Sequence, residues 1–338
     1  MEAHSCRIEL GKRSYTVYLV GIGDVHWGAK NCAESLFREQ VDWIRKTPNA
    51  YAFLGGDLIE AINYSDKRFD PKGVKTLKVK DKEKFVEPRY STKIIQGSQF
   101  SNGNKDEFSL DNLITAQANE IIKELVPIKN KLLFSLTGNH EEKIRLKYHH
   151  DIAGYMAMQL GIPQLGYGAM IRVNFSRQVD SGASAVKSFI LNASHGDGGG
   201  SNTGAKLNRL IQKARFIEAD VFWCGHNHGK AHSTEIVLSI TKAGEPIIFD
   251  KEKIFILGGS FLKTYQGGMI SYGEKAGYAP APLGNNILKI EPFHQKRIGK
   301  KNYNTPIRYS VFSLSNASVL IEDMPVKITH IAPKREKK

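Results

Sequence analysis

The chain has 338 residues, of which 41% are hydrophobic and 24% charged, and its formal net charge is +14. This composition excludes a fibrous, collagen-like or largely disordered chain. Its three cysteines form no CxxC pair, which indicates reduced intracellular thiols and neither a disulfide framework nor a thiolate zinc site. Because the sequence shows no apolar leader and no apolar run near the roughly 20 residues of a membrane span, we expect a cytoplasmic protein without a membrane partner.

The excess positive charge is concentrated in three segments. Residues 67–93 carry ten basic and four acidic side chains, residues 296–301 carry four basic ones, and residues 327–338 carry five basic and one acidic. Together these segments account for the whole net charge of +14. Clustered positive charge favours a polyanion such as DNA or RNA as a partner. The alternative is a set of solvated loops and a solubilising tail.

Over the first two thirds of the chain, short β-branched and aromatic runs alternate with helical patterns. The predicted strands cover residues 15–22, 50–54, 131–136, 187–193 and 219–223. The predicted helices cover residues 33–46, 110–126, 141–160 and 203–217. Strands that alternate with helices indicate a layered α/β fold.

Residues 230–325 change character, because alternating runs at 235–240, 253–257 and 286–290 predict strands with few helices. We expect these strands to complete a second sheet packed on the first. The chain is then a single domain over residues 14–325, followed by a basic, disordered tail over residues 326–338. Residues 61–109 are Lys-rich and weakly periodic, and are therefore predicted to be an insertion.

Five of the predicted strands end in short loops that carry metal-type ligands. The loops read Gly23-Asp24-Val25-His26, Gly56-Asp57-Leu58-Ile59-Glu60, Gly138-Asn139-His140-Glu141, His195-Gly196-Asp197 and Gly225-His226-Asn227-His228. Five of the eleven histidines lie in these loops. Residues i and i+2 of an extended backbone point the same way, and open α/β sheets bind ligands beyond the carboxyl ends of their strands. We therefore expect the five loops to converge on one site.

Taken in order, the motifs DxH, GDxxE, GNHE, H and GHxH resemble the signature of the calcineurin-like metallophosphoesterases, from residue 15 to about residue 290. Segments 161–169 and 258–265 also resemble the predicted phosphoesterases of phage and prokaryotes. The resemblance implies a two-sheet α/β/β/α sandwich with a dinuclear metal centre. It implies that His140 is the catalytic histidine, which binds no metal. The implied ligands are Asp24, His26, Asp57 and His228 for one metal, and Asp57, Asn139, His195 and His226 for the other, with Asp57 bridging.

This ligand set is chemically consistent with phosphoester hydrolysis. Imidazole and carboxylate ligands without a thiolate suit two divalent transition-metal ions, manganese first, with iron, zinc or nickel as alternatives. Two cations about 3.5–4 Å apart clamp the attacking and leaving oxygens of an in-line displacement and acidify a bridging water, so that hydroxide attacks. A protonated His140 would stabilise the phosphoryl charge or protonate the leaving alkoxide.

The charge favours a phosphodiester in nucleic acid or nucleotides as the substrate, and hence a phosphodiesterase or nuclease. Candidate substrate-binding residues are Lys75, Lys78 and Lys80 in the insertion and Arg145 one turn after His140, although Arg145 also fits a solvated helix face. The alternatives are a phosphomonoesterase acting on nucleotides or phosphoproteins and, with less support from the ligand set, a non-catalytic scaffold. Glu60 either orients the Asp57 loop or opens a helix, and is not counted as a site residue.

Overall fold

The computed structural model describes residues 1–11, 16–62, 66, 113–178, 184–198, 202–240, 246–267, 270–298, 301–304 and 306–314. Apart from residues 61, 62 and 66, the predicted insertion lies outside the described residues. Lys75, Lys78 and Lys80 lie outside them too, as does the predicted tail at 326–338. None of the helices in the described ranges is long and apolar enough to cross a membrane.

The described residues contain strands from both predicted regions of the chain. The strands are β1 (Glu2–Leu10), β2 (Val17–Ile22), β3 (Ala50–Leu54), β4 (Leu132–Ser135), β5 (Gly168–Gln178), β6 (Ser184–Ser194), β7 (Val221–Cys224), β8 (Lys230–Ile240), β9 (Ile248–Ser260), β10 (Gly284–Glu291), β11 (Gln295–Ile298), β12 (Lys301–Asn304) and β13 (Arg308–Ser313). The helices are α1 (Glu34–Lys46), α2 (Leu113–Leu125), α3 (Asn139–Tyr148), α4 (Ile152–Leu160), α5 (Thr203–Lys213) and the short α6 (Tyr272–Lys275), with a 3₁₀ helix at Val126–Lys131.

Eleven of these strands form one hydrogen-bonded sheet in the order β1-β5-β6-β7-β9-β10-β2-β3-β4, with β8 beside β9 and β13 beside β10. Within it, β2, β3 and β4 are parallel. So are β6, β7 and β9. Because parallel strands bring their carboxyl ends to the same edge, the loops after them come together there.

The sheet has two halves, which meet through only two residue pairs between β9 and β10, Ser260 with Gly284 and Gly259 with Asn285. The prediction of an α/β fold is confirmed, but these pairs join the two predicted sheets into one hydrogen-bonded path. One buried apolar cluster draws on both halves, for example Val173 of β5 and Leu288 of β10, so the halves share a core.

Helices cover the sheet on either side of that shared core. A second apolar cluster packs α1, α2 and α4 against β2 and β3. In α1 the buried side chains Phe37, Val41 and Ile44 recur at helical spacing, as the sequence predicts. A third cluster packs α5 against β7 and β9, with Leu210 beside Phe222 and Phe255. These helices leave the carboxyl ends of the parallel strands to the loops.

The prediction of one helix over residues 141–160 is wrong. Two helices occupy this region, because His149 takes a left-handed conformation with φ of 55° and ends α3. The Asp151 side chain then accepts a hydrogen bond of 2.9 Å from the backbone N–H of Gly154 and caps α4. α3 also begins two residues earlier than predicted, so Asn139 and His140 lie in its first turn.

Three strands of the sheet, β1, β5 and β13, are not predicted from the sequence. β1 buries only alternate residues such as Ile8 and Leu10, and charged residues on its other face hide the pattern. It precedes the predicted domain start at residue 14 and pairs in parallel with β5, the second unpredicted strand. Half-buried strands give a weaker sequence signal than the continuous apolar runs of buried ones.

Candidate metal centre

All five motif loops meet at the carboxyl edge of the sheet. Asp24 and His26 follow β2, and the backbone N–H of Asp24 donates to the carbonyl of Gly56 in the next loop at 3.0 Å. The backbone N–H of His226 in turn donates to Asp24 Oδ2 at 2.8 Å. In the described residues the donor atoms of each of three groups lie within 4.8 Å of one another: Asp24, His26 and His228; His26, Asp57 and His140; and Asp57, His195 and His226. The predicted convergence of these loops is therefore observed.

The first part of the centre is formed by Asp24, His26 and His228. The Nδ1 of His26 donates to Glu60 Oε2 at 2.8 Å, so the lone pair on Nε2 of His26 points at His228 Nε2, 3.1 Å away. Asp24 Oδ1 lies 3.4 Å from His228 Nε2 and is buried without a hydrogen-bond partner among the described residues. A buried carboxylate oxygen without a partner is costly, and a bound cation would satisfy it.

The second part is formed by Asp57, Asn139, His195 and His226. The Nδ1 of His195 donates to the carbonyl of Gly55 at 2.9 Å. Its Nε2 faces two oxygens, Asn139 Oδ1 at 3.1 Å and Asp57 Oδ2 at 3.3 Å, so a cation is required between them, either a proton or a metal ion. His226 Nδ1 lies 2.6 Å from the same Asn139 Oδ1.

The charge state of these groups follows from burial and from the Asp57 carboxylate. Burial opposes a charge on His195, but Asp57 outweighs it and raises the pKa of His195 to about 10. Although burial opposes it, the neighbouring histidines hold the pKa of Asp57 well below its usual range. Burial lowers the pKa of His26 and of His226, which keeps both imidazoles neutral, the form that binds metal. The group therefore combines an ionised Asp57 and a protonated His195 with the neutral imidazoles of His26 and His226.

Backbone strain is concentrated in the same loops. Five of the seven predicted ligands have φ in the left-handed region: Asp24 at 51°, His26 at 53°, Asp57 at 49°, His226 at 64° and His228 at 50°. Only two other described non-glycine residues share this conformation. Each such residue costs on the order of 1–3 kcal/mol and persists where the surroundings impose it, typically at functional sites.

Trp223 of β7 forms the floor beneath these loops. Its indole is buried and lies against Gly21 of β2 and against glycines of several loops. A Cβ atom added to Gly55 would lie 2.1 Å from the ring, and one added to Gly21 would lie 2.4 Å from it. The glycines therefore let the loops close over the indole, and Trp223 packs under the site instead of lining it.

His140 lies at the centre, with its position fixed by two backbone contacts. Its own backbone N–H donates to Asp57 Oδ1 at 2.9 Å, and its Nδ1 donates to the carbonyl of Glu60. The ring is buried and meets the ring of His26 edge to face, with centroids 4.7 Å apart. The carbonyl contact fixes the tautomer and leaves Nε2 as the reactive nitrogen.

Two carboxylates at the centre were not predicted as site residues. Glu60 accepts the Nδ1 proton of His26, and the buried Glu141 accepts backbone N–H groups of the Asp57 loop. Burial, and next the charge of Asp57, raise the pKa of Glu141 to about 7. The sequence offered one signal for a role of these two acids: each lies within three residues of a predicted ligand.

Arg145 is exposed on α3 and binds Glu142 of the same helix, through Nε at 2.9 Å and Nη2 at 2.6 Å. Its proposed contact with substrate stays a prediction.

Comparison with known proteins adds little to this geometry. No family model matches the chain, and no curated protein matches it either. Among solved structures, it is similar to a single mutant of Vps29 from Entamoeba histolytica, with 10% sequence identity and a TM-score of 0.32 over 88% of this chain and 100% of that one. A double mutant of the same protein gives 10% identity and a TM-score of 0.30 over 89% and 100%. Scores this low carry no argument about function.

Proposed function

We propose that this chain is a metal-dependent phosphoesterase of the calcineurin-like type that binds two divalent metal ions and hydrolyses phosphodiester bonds in nucleic acid or nucleotides. The observation that carries the proposal is the position of Asp57 Oδ2. This oxygen faces the histidines of both groups of candidate ligands, at 3.3 Å from His195 Nε2 and 4.0 Å from His26 Nε2. A carboxylate between two sets of imidazoles is what a bridging ligand requires. The apolar core shared by the two halves of the sheet supports the corresponding sandwich fold.

The donor chemistry fits two transition-metal ions. Asp24, His26, Asp57 and His228 would hold one, and Asp57, Asn139, His195 and His226 the other. The unsatisfied Asp24 Oδ1 and the neutral imidazoles of His26 and His226 fit divalent cations. Manganese suits this oxygen and nitrogen set, as do iron, zinc and nickel.

When bound, the cations supply positive charge for the phosphoryl oxygens and lower the pKa of water. Side chains of the protein orient the ligands, set the charge of the centre and transfer the proton. Glu60 orients His26 through the 2.8 Å hydrogen bond to Nδ1. Asn139 contributes a neutral oxygen, so the centre stays cationic enough to bind phosphate. The Glu60 carbonyl holds Nδ1–H of His140, so Nε2 is the nitrogen that would take up a proton, and the imidazolium so formed would donate that proton to the leaving oxygen.

The test is turnover of two small chromogenic esters, bis(p-nitrophenyl) phosphate and p-nitrophenyl phosphate, by Mn²⁺-loaded protein. We expect hydrolysis of the diester, loss of activity with chelator, and loss of both metal and activity in Asp57→Asn. Asp42→Asn, which changes an exposed carboxylate of α1, is the matched control and should keep both. Turnover of the monoester alone would favour a phosphatase acting on nucleotides or phosphoproteins, and no turnover of either ester would contradict the proposal.

A further inference from the structure

One side of α5 presents three basic residues, Lys206, Arg209 and Lys213. Their spacing of three and four residues places them on the same side of the helix, over about 10 Å of its length. The apolar side of α5, with Leu207, Leu210 and Ile211, packs against the sheet. We refer to Lys206, Arg209 and Lys213 as the α5 basic face.

Each residue of the α5 basic face is held against a loop of the candidate metal centre. The Nζ of Lys206 donates at 2.7 Å to the carbonyl of Asn227, the residue between two predicted ligands. The guanidinium of Arg209 lies against Gly198, since a Cβ added there would be 2.5 Å from Nη1. The Nζ of Lys213 lies 3.4 Å from Asp197. Asp197 and Gly198 follow the predicted ligand His195 by two and three residues.

The α5 basic face is also accessible. Arg209 is exposed, and 37% of the Lys213 side chain is exposed, as is 71% of its partner Asp197. An ion pair this exposed and this long is weak, so a phosphate group can compete with Asp197 for the ammonium. Arginine binds phosphate through two parallel N–H donors and lysine as a point charge.

We infer that the α5 basic face binds phosphates that flank the scissile bond, so the substrate is a nucleic-acid strand. This inference rests on the proposed phosphodiesterase function. Phosphates along one strand of a duplex follow one another at about 3.4 Å of axis, so a strand entering the centre presents several to a helix face of this length. A mononucleotide presents no flanking phosphates to α5.

The test variant is Arg209→Gln/Lys213→Gln. Lys206 is left unchanged, because its hydrogen bond to the carbonyl of Asn227 also supports the loop between two predicted ligands. The matched control is Arg45→Gln/Lys46→Gln, which removes the same two residue types from the last turn of α1, where both pair with Asp42. The two variants therefore carry the same net charge.

The measurement is kcat/KM for single-stranded DNA and RNA oligonucleotides with Mn²⁺, from about 50 to about 200 mM KCl. For the strand that is cleaved, we expect the test variant to lower kcat/KM and to flatten its logarithmic salt slope by about 1.4, which is about 0.7 for each phosphate contact removed on a single strand. The control should keep the wild-type slope. A test variant with the slope and kcat/KM of the control would overturn the inference.

Hydrolysis of bis(p-nitrophenyl) phosphate by the same preparations separates the possible failures. A loss confined to the oligonucleotide supports the inference. A parallel loss on both substrates overturns it, because α5 would then act on the structure of the centre. Wild-type hydrolysis of the small diester without cleavage of either oligonucleotide overturns the inference alone. If the wild-type protein hydrolyses no ester, the proposed function fails and the inference with it.

Discussion

The buried carboxylate of Glu141 holds the backbone of Asp57 in its strained conformation. Its Oε2 accepts the backbone N–H of Asp57 at 3.0 Å and that of Gly138 at 3.1 Å. Its Oε1 accepts the N–H of Leu58 at 2.7 Å. Glu141 therefore ties together the loop of the proposed bridging ligand and the loop that carries Asn139, and offsets the cost of a φ of 49° at Asp57.

We predict that Glu141→Gln weakens Mn²⁺ binding by about 10–100-fold, the usual cost of losing a group that orients a ligand. The amide can present only one oxygen, and its NH₂ group would face backbone N–H donors. Glu142→Gln is the control, because Glu142 lies beside it and pairs with Arg145 at the surface. Calorimetric titration of both variants makes the comparison, and equal affinities would show that Glu141 does not position the ligand.

Metal stoichiometry tests the two-site interpretation directly. Seven side chains in five loops provide two sets of donors that share Asp57, so the protein should bind about two transition-metal ions per chain. Elemental analysis after saturation and removal of excess metal measures this number. A fully active protein with at most one tightly bound ion would contradict the dinuclear centre.

His140→Ala should keep both metal ions and lose about 10²–10⁴-fold in kcat, the usual contribution of a general acid. The reason is that Nδ1–H of His140 is held by the Glu60 carbonyl, so the ring would act as a general acid through Nε2 in its protonated form. Turnover of diesters with good and poor leaving groups measures the effect, which should be larger for the poor one. Loss of a metal ion in this variant would instead make His140 a ligand.

Gly55→Ala should destabilise the fold by about 1–3 kcal/mol, the range for overpacking a core. The new Cβ would lie 2.1 Å from the Trp223 ring, which is itself enclosed beneath the loops. Gly267→Ala is the matched control, since no atom of the described residues lies within 4 Å of its added Cβ. Urea denaturation of the two variants measures the difference. Equal unfolding midpoints would show that the packing of the loops on Trp223 does not stabilise the fold.

The insertion makes a separate prediction, because Lys75, Lys78 and Lys80 lie outside the described residues. If this segment contacts nucleic acid, charge reversal at the three lysines should flatten the salt dependence of binding, by about 0.9 per phosphate on duplex DNA. Small-diester turnover by the same variant reports on the metal centre. Unchanged binding would show that the insertion is not part of the substrate site. It would not bear on the α5 basic face, which is tested by its own variant.

The success of strand prediction depended on burial. β2, β3 and β7 are buried on both faces, so their apolar runs are continuous and stand out in the sequence. β1, β5 and β13 were not predicted, because polar residues alternate with apolar ones along them and hide the pattern. The break between α3 and α4 was not predicted either. It depends on the left-handed backbone of His149, a conformation that is rare for a residue other than glycine.

The sequence by itself determined the candidate donor residues and the strand ends that carry them, because strand, glycine turn and candidate ligand follow one another within a few residues. The tertiary structure alone decided which atoms of these loops face one another and which side chains support the candidate ligands. Glu60 contacts His26 from 34 positions away, and Glu141 contacts Asp57 from 84. Partners so distant along the chain leave no local pattern, since their contact arises only when the sheet brings the loops to one edge.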